Sequence, residues 1–147
     1  MKGTKAYLVE PLLATIRIVA IPQENRLAVI RNLIGCDLID MVRIDDRLAL
    51  IVDDNGLQET LPCVTQLHDY PSPLAGNLLI IGTDVYGETI DVAAAIEDIA
   101  SRLTIVRPVL HPVFETLNGP RIFGTRLSAM EVRVEQRPPA VVEDNFY

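Results

Sequence analysis

The run from Ala14 to Gly56, ATIRIVAIPQENRLAVIRNLIGCDLIDMVRIDDRLALIVDDNG, decides how the chain folds. Thr15 to Ile21 alternates: Ile16, Ile18 and Ala20 fall on one side, and Thr15, Arg17, Val19 and Ile21 on the other, the period-two signature of a strand. Pro22 has no N–H for a ladder, and Asn25 is placed to cap a helix. Leu27, Ile30, Leu33 and Ile34 then recur at helical spacing, with Gly35 where a left-handed C′ residue belongs, so the spacing predicts a helix over 25–34. A helix this short is marginal in water and must lie on a sheet. Leu38 to Ile44 and Leu48 to Val52 are two further strands joined by Asp45, Asp46 and Arg47, short enough for a hairpin. Asn55-Gly56 favours a tight turn, with Leu57 to Leu61 returning beside the previous strand until Pro62.

Outward from this unit, Ala6 to Glu10 reads as a short strand ended by Pro11. Residues 64 to 77, rich in Pro, Gly, Ser, Asp and Asn, read as a surface loop. Leu78 to Ile81 is an uninterrupted apolar run suited to a central strand buried on both faces. Val92, Ile96, Ile99 and Leu103 recur at helical spacing and predict a second helix over 91–103, with Thr89 or Asp91 as its cap. Thr104 to Leu110 contains Pro108, which predicts an edge strand or an early stop. Asn118-Gly119 suggests a hairpin, and Ala129 to Glu135 alternates cleanly.

These elements predict one α+β domain: a mostly antiparallel sheet of about six to eight strands with the two helices on one face. The organisation expected is a βαββ-type core within 1–103, a β extension over 104–137 and a tail over 138–147.

Composition narrows the function. The chain has 147 residues, 49% of them hydrophobic, enough for one core. Thirteen basic against twenty acidic residues give a net charge of −7, the wrong sign for a protein that binds by neutralising phosphates, so direct nucleic-acid binding is not expected. Two cysteines, Cys36 and Cys63, do not make a secreted disulfide framework, and the N-terminal apolar run, broken by Glu10, Pro11 and Arg17, is neither a signal segment nor long enough to span a bilayer. A cytoplasmic protein is the expectation.

Gly82-Thr-Asp-Val-Tyr-Gly87-Glu88-Thr89 copies the spacing of a phosphate loop, G-x-x-x-x-G-K-[ST], except that Glu88 stands where the lysine belongs. A carboxylate there opposes anion binding, and a plain strand-to-helix turn outweighs a nucleotide site. Gly82, Thr83, Asp84, Tyr86, Gly87 and Glu88 are nonetheless the candidate ligand-binding residues, with Asp84 and Glu88 a carboxylate pair for an alternative reading as a small enzyme. Asp53-Asp54-Asn55-Gly56 lacks the register of a calcium loop, and His68 and His111 sit in no metal-ligating pattern. No catalytic residue, metal or cofactor is assigned.

The succession of a strand, a helix ending in Leu33-Ile34-Gly35, an acidic-apolar strand, Asp54-Asn55-Gly56, Leu61-Pro62 and an apolar strand closing on Gly82 resembles a family of short proteins of unknown function from bacteriophages, plasmids and bacteria. Cys36 stands where that family usually has a second glycine, Asp53-Asp54 where it has Asn-Glu, and Cys63-Val64 where it has Asn-Arg. The resemblance implies a mobile-element accessory protein and no particular reaction. The leading expectation is a non-catalytic binding protein, with counter-defence by obstruction of a host protein, or small-ligand capture, as its possible forms. An excess of apolar strand over helix to cover it, with Phe146 and Tyr147 on a proline-containing arm, predicts a homodimer.

Overall fold

The computed structural model describes residues 3–54, 63–121 and 123–143. The elements run β1 (Thr4–Glu10), β2 (Thr15–Ile21), α1 (Arg26–Ile34), β3 (Ile39–Arg43), β4 (Leu48–Asp53), β5 (Val64–Leu67), β6 (Leu74–Ala75), β7 (Leu78–Thr83), β8 (Thr89–Ile90), α2 (Ile96–Ser101), β9 (Leu103–Asn118), β10 (Phe123–Arg137) and β11 (Ala140–Val141). One sheet has the order β11-β2-β1-β7-β4-β3, with β8 also on β7; the other has the order β10-β9-β5-β6. Neighbours are antiparallel throughout except β11, which runs parallel to β2.

The expected α+β class is overturned. Strand makes up 55% of the structure and helix 11%, so the protein is mostly β. The two helices also lie on opposite faces of the first sheet. Alternation along β1, β4 and β7 sends Tyr7, Leu50 and Ile80 to one face, where Ile96, Ile99 and Ala100 of α2 cover them. It sends Leu8, Ile51 and Leu79 to the other, where Ile30 and Ile34 of α1 lie.

β7 is the central strand anticipated from its apolar run, buried along its whole length between β1 and β4. The β3–β4 hairpin also forms, its turn closed by Asp45 Oδ1 accepting from the N–H groups of Arg47 at 2.8 Å and Leu48 at 2.9 Å. Helix α1 stops at Gly35, whose φ of 83° lets its N–H reach back to the Arg31 carbonyl at 2.8 Å. It carries the chain from β2, near one edge of the sheet, across one face to β3 at the other edge. Burial of Ile30 and Ile34 contributes roughly 2 kcal/mol each, which such a short helix requires.

The second helix is shorter than its periodicity predicts. Val92, Ile96, Ile99 and Leu103 are all buried, as the spacing requires, but only Ile96–Ser101 is helical. The preceding segment is tied to β1 instead. Lys5 N–H donates to Asp91 Oδ1 at 2.7 Å, Val92 N–H to the Lys5 carbonyl at 3.1 Å, and Tyr7 Oη to the Ala94 carbonyl at 2.6 Å. Asp91, a candidate helix cap, is thus engaged across the sheet.

Residues 64–77 are not a simple surface loop. β5 and β6 pair within the second sheet, and Cys63, Thr65, Leu67, Leu74 and Ala75 are buried. In the expected tail, Ala140–Val141 forms β11 on β2, with Ala140 N–H bonded to the Ala14 carbonyl and Val142 N–H to the Ile16 carbonyl, both at 2.9 Å. The expected Asn55-Gly56 turn, the return strand over Leu57 to Leu61 and the Phe146 and Tyr147 anchors lie outside the described residues.

Candidate functional site

The loop singled out by its glycines is a closed turn. Asp84 Oδ1 accepts from the N–H groups of Tyr86 and Glu88, each at 2.9 Å, while Gly87 N–H reaches the Asp84 carbonyl and Asp84 N–H the Glu88 carbonyl, each at 3.0 Å. The amides that would cradle a phosphate are therefore occupied by the loop's own carboxylate. No helix follows: Thr89 and Ile90 pair back on Thr83 and Gly82. Gly82 is needed for that close return, because a Cβ there would lie 2.6 Å from the Asp91 carbonyl oxygen. Gly87 meets nothing within 4 Å and supplies only its φ of 79°. Tyr86 and Glu88 are both exposed.

Thr83 and Asp84 do border a groove of about 1000 Å³. Asp45, Asp46 and Arg47 of the β3–β4 turn, Asp91 and Ala94 of the strap before α2, and Arg102 also line it. Thr83 N–H donates to the Arg47 carbonyl at 2.8 Å, which fixes the turn against the end of β7. Gly82, Tyr86, Gly87 and Glu88 are not among the groove residues, whereas Asp45, Asp46, Arg47, Asp91 and Arg102, which the sequence pattern did not offer as ligand-binding residues, are. Among the described residues no group of three or more His, Cys, Asp or Glu side chains is placed to hold a metal. Cys36 and Cys63 are not joined in a disulfide, and burial pushes the Cys63 thiol up, with the Arg107 charge opposing it.

The larger surface feature is the ribbon of β9 and β10. β5 pairs with β9 only as far as Val106; beyond it the two long strands have no other strand partner among the described residues. Cross-strand pairs share a face. Pro108 with Val134, Leu110 with Val132, Pro112 with Met130 and Phe114 with Leu127 make one face apolar, and Phe123 extends it. Arg107 with Glu135, Val109 with Arg133, His111 with Glu131 and Glu115 with Arg126 make the other face charged.

Simple alternation does not yield this division. The apolar positions are odd at Phe123 and Leu127 but even at Met130, Val132 and Val134. The register shifts at Ser128, whose Oγ donates to the Val113 carbonyl at 3.1 Å. That bulge inserts one residue and so returns both halves of β10 to a common face. Pro108 and Pro112 are four apart, so their missing N–H groups fall on the same edge of β9, which is open beyond Val106. Pro108 thus lies on an open edge, the first of the two expected outcomes, and the strand runs on through it to Asn118.

Seven large apolar side chains of this face, Leu110, Phe114, Phe123, Leu127, Met130, Val132 and Val134, are between 51% and 80% exposed. The chain's own body is on the other side. At the root of the ribbon the odd residues of β9, Leu103 and Ile105, enter the core, and Arg107 on the same face donates to the Leu12 carbonyl at 2.6 Å and to Glu135 Oε1 at 2.9 Å. The apolar face is the opposite one.

A model for a domain of unknown function, DUF3846, matches residues 1–104. The chain belongs to the DUF3846 family. It is 37% identical over 142 residues to an uncharacterised protein, y4iR, of Sinorhizobium fredii, covering 94% of this chain and 88% of that protein. It is 34% identical over 130 residues to protein PsiB of Rhizobium leguminosarum bv. phaseoli, covering 86% of this chain and 97% of that protein. No solved structure matches. The family segment ends at Thr104, where β9 has just begun, so the ribbon lies beyond it. The similarity to y4iR leaves too few residues uncovered to omit the ribbon. No helix among the described residues is long and apolar enough to cross a membrane.

Proposed function

We propose that the chain is a non-catalytic accessory binding protein of a mobile genetic element and works by protein contact through the β9–β10 ribbon. The observation that carries this reading is the apolar face of the ribbon, turned away from the body that would otherwise bury it. Contiguous exposed apolar surface of this extent marks interaction sites in soluble proteins. Membership of a family of unknown function and the similarity to PsiB are compatible with an accessory role and specify no chemistry. The resemblance to short proteins of phages and plasmids supports the mobile-element part of the reading.

A second reading, capture of a small ligand, rests on the groove beside Asp84, Asp91 and Arg102. An enzyme using Asp84 and Glu88 is supported less well, because one Asp84 oxygen already holds two backbone N–H groups of its own turn. Native mass spectrometry of the protein isolated from its host, beside a Leu110→Glu variant, separates these readings. The expected result is a protein partner, of the same or another sequence, bound by the wild type and released by the variant. A retained small molecule with no protein partner, or a turnover activity lost in Asp84→Ala, would overturn it.

A further inference from the structure

We propose that the apolar face of the ribbon is covered by the same face of a second copy of this chain, two ribbons stacking in a two-fold dimer. This rests on the reading of the ribbon as a protein-contact surface and names its occupant. Four observations favour a second copy over a foreign partner.

The first is stability. A two-stranded ribbon without a covered face is marginal in water. The part of β9 beyond Val106 has neither a third strand nor a covering element on its apolar side among the described residues. Its cover must be present wherever the chain folds, and a second copy is always available.

The second is orientation. Because the opposite face meets the core through Leu103 and Ile105 and the β1–β2 turn through Arg107, the body of the same chain is not on the side that needs covering.

The third is charge. The chain carries −7 overall, so two copies repel one another except through a surface without charge. From Val106 to Asn118 on β9, and through Phe123, Thr125, Leu127, Met130, Val132, Val134 and Gln136 on β10, the apolar face includes no Asp, Glu, Lys or Arg. The charged residues are confined to the reverse face, where Arg107–Glu135 and Arg126–Glu115 are already paired at 2.9 and 2.6 Å. A face that selected a foreign partner by charge would carry some of its own.

The fourth is area. Seven exposed side chains at roughly 100 Å² each offer about 700 Å² per copy. A standard stable interface takes about 800 Å² from each partner. Two such faces stacked at the usual angle between twisted sheets would bury about 1,400 Å², within the range of roughly 1,200–2,000 Å² for stable interfaces.

The test uses the whole chain and light scattering between about 1 and 100 μM, which spans the weak end of the μM-to-pM affinities that interfaces of this size show. The expected mass is twice 16.3 kDa. Leu110 and Val132 are directly paired at the middle of the face, and like charges placed on both faces of a dimer repel across it. Leu110→Glu with Val132→Glu should give monomer, as should Leu110→Lys with Val132→Lys. Mixing the two variants should restore the doubled mass, a result that only ribbon-to-ribbon pairing predicts. Unchanged amide protection of β7 shows that the fold is intact in each. A wild type of single-chain mass across the range, or a dimer that both variants leave untouched, overturns the proposal. A monomeric wild type that still holds a foreign protein through Leu110 refutes the second copy and leaves the contact reading standing; a wild type with neither partner refutes both.

Discussion

Gly82 and Gly87 bound the same loop and do different work. A Cβ on Gly82 meets two backbone carbonyls, of Asp91 and Ile90, at 2.6 and 2.8 Å, and backbone cannot swing aside as a side chain can. Gly82→Ala should therefore cost about 2–3 kcal/mol in denaturant unfolding, whereas Gly87→Ala, with open space and only its positive φ to strain, should cost about 1 kcal/mol. Equal losses would mean that β8 does not lie where it is placed. Thr65 makes the opposite case. It is completely buried between Leu74 and Ile105, and its Oγ1 has no hydrogen-bond partner among the described residues. Thr65→Val keeps the branched shape and removes the orphaned hydroxyl, so it should raise stability by about 1 kcal/mol. A loss of stability instead would show that the hydroxyl has an acceptor. The glycine spacing of the loop was legible in the sequence, but its meaning was not. Glu88 argued against a phosphate, yet nothing local revealed that Asp84 would take up the Tyr86 and Glu88 amides, or that Ile90 would come back against Gly82.

Elements with local causes were legible, and those with distant causes were not. The β3–β4 hairpin, α1 with its Gly35 stop and the buried β7 follow from alternation, helical spacing and turn chemistry within a dozen residues. Helix α2 was overextended because Val92 shares its spacing yet hydrogen-bonds to Lys5, far earlier in the chain. β5 was hidden because its partner β9 begins more than thirty residues later. The ribbon was the hardest, since the bulge at Ser128 exchanges odd for even and makes two half-strands look unrelated. Its root supplies a pH prediction. Hydrogen bonding from Arg107 lowers the Glu135 carboxyl from its ordinary value; burial, the second influence, opposes this, and the Arg137 hydrogen bond adds to the lowering. A carboxylate lowered in the folded state stabilises above its unfolded pKa and loses that contribution as pH falls through the folded one. Amide protection at Arg107 and Glu135 should therefore hold from neutrality down to the ordinary carboxylate pKa and weaken below it. In Glu135→Gln it should be lower at neutrality and lack this step; an unchanged profile would mean that the pair does not hold the root.

At the scale of the molecule, one sheet buries both its faces under its own chain, while the apolar side of the ribbon is left to something else. The body is completed at one edge by β11. Val142→Pro removes the N–H that reaches the Ile16 carbonyl and should cost about 1 kcal/mol of body stability, without altering assembly through the ribbon. A change in mass by light scattering would show that β11 takes part in assembly. β11 also sets an order in time. Its partner β2 lies near the start of the chain, so during synthesis Thr15 and Ile16 are made long before Ala140 and Val141 exist to pair with them. Until then, that edge of the sheet is bare and able to accept any strand that passes. The nascent protein thus has a waiting interval that cannot end before residues 140 and 141 emerge, so translation sets its shortest length.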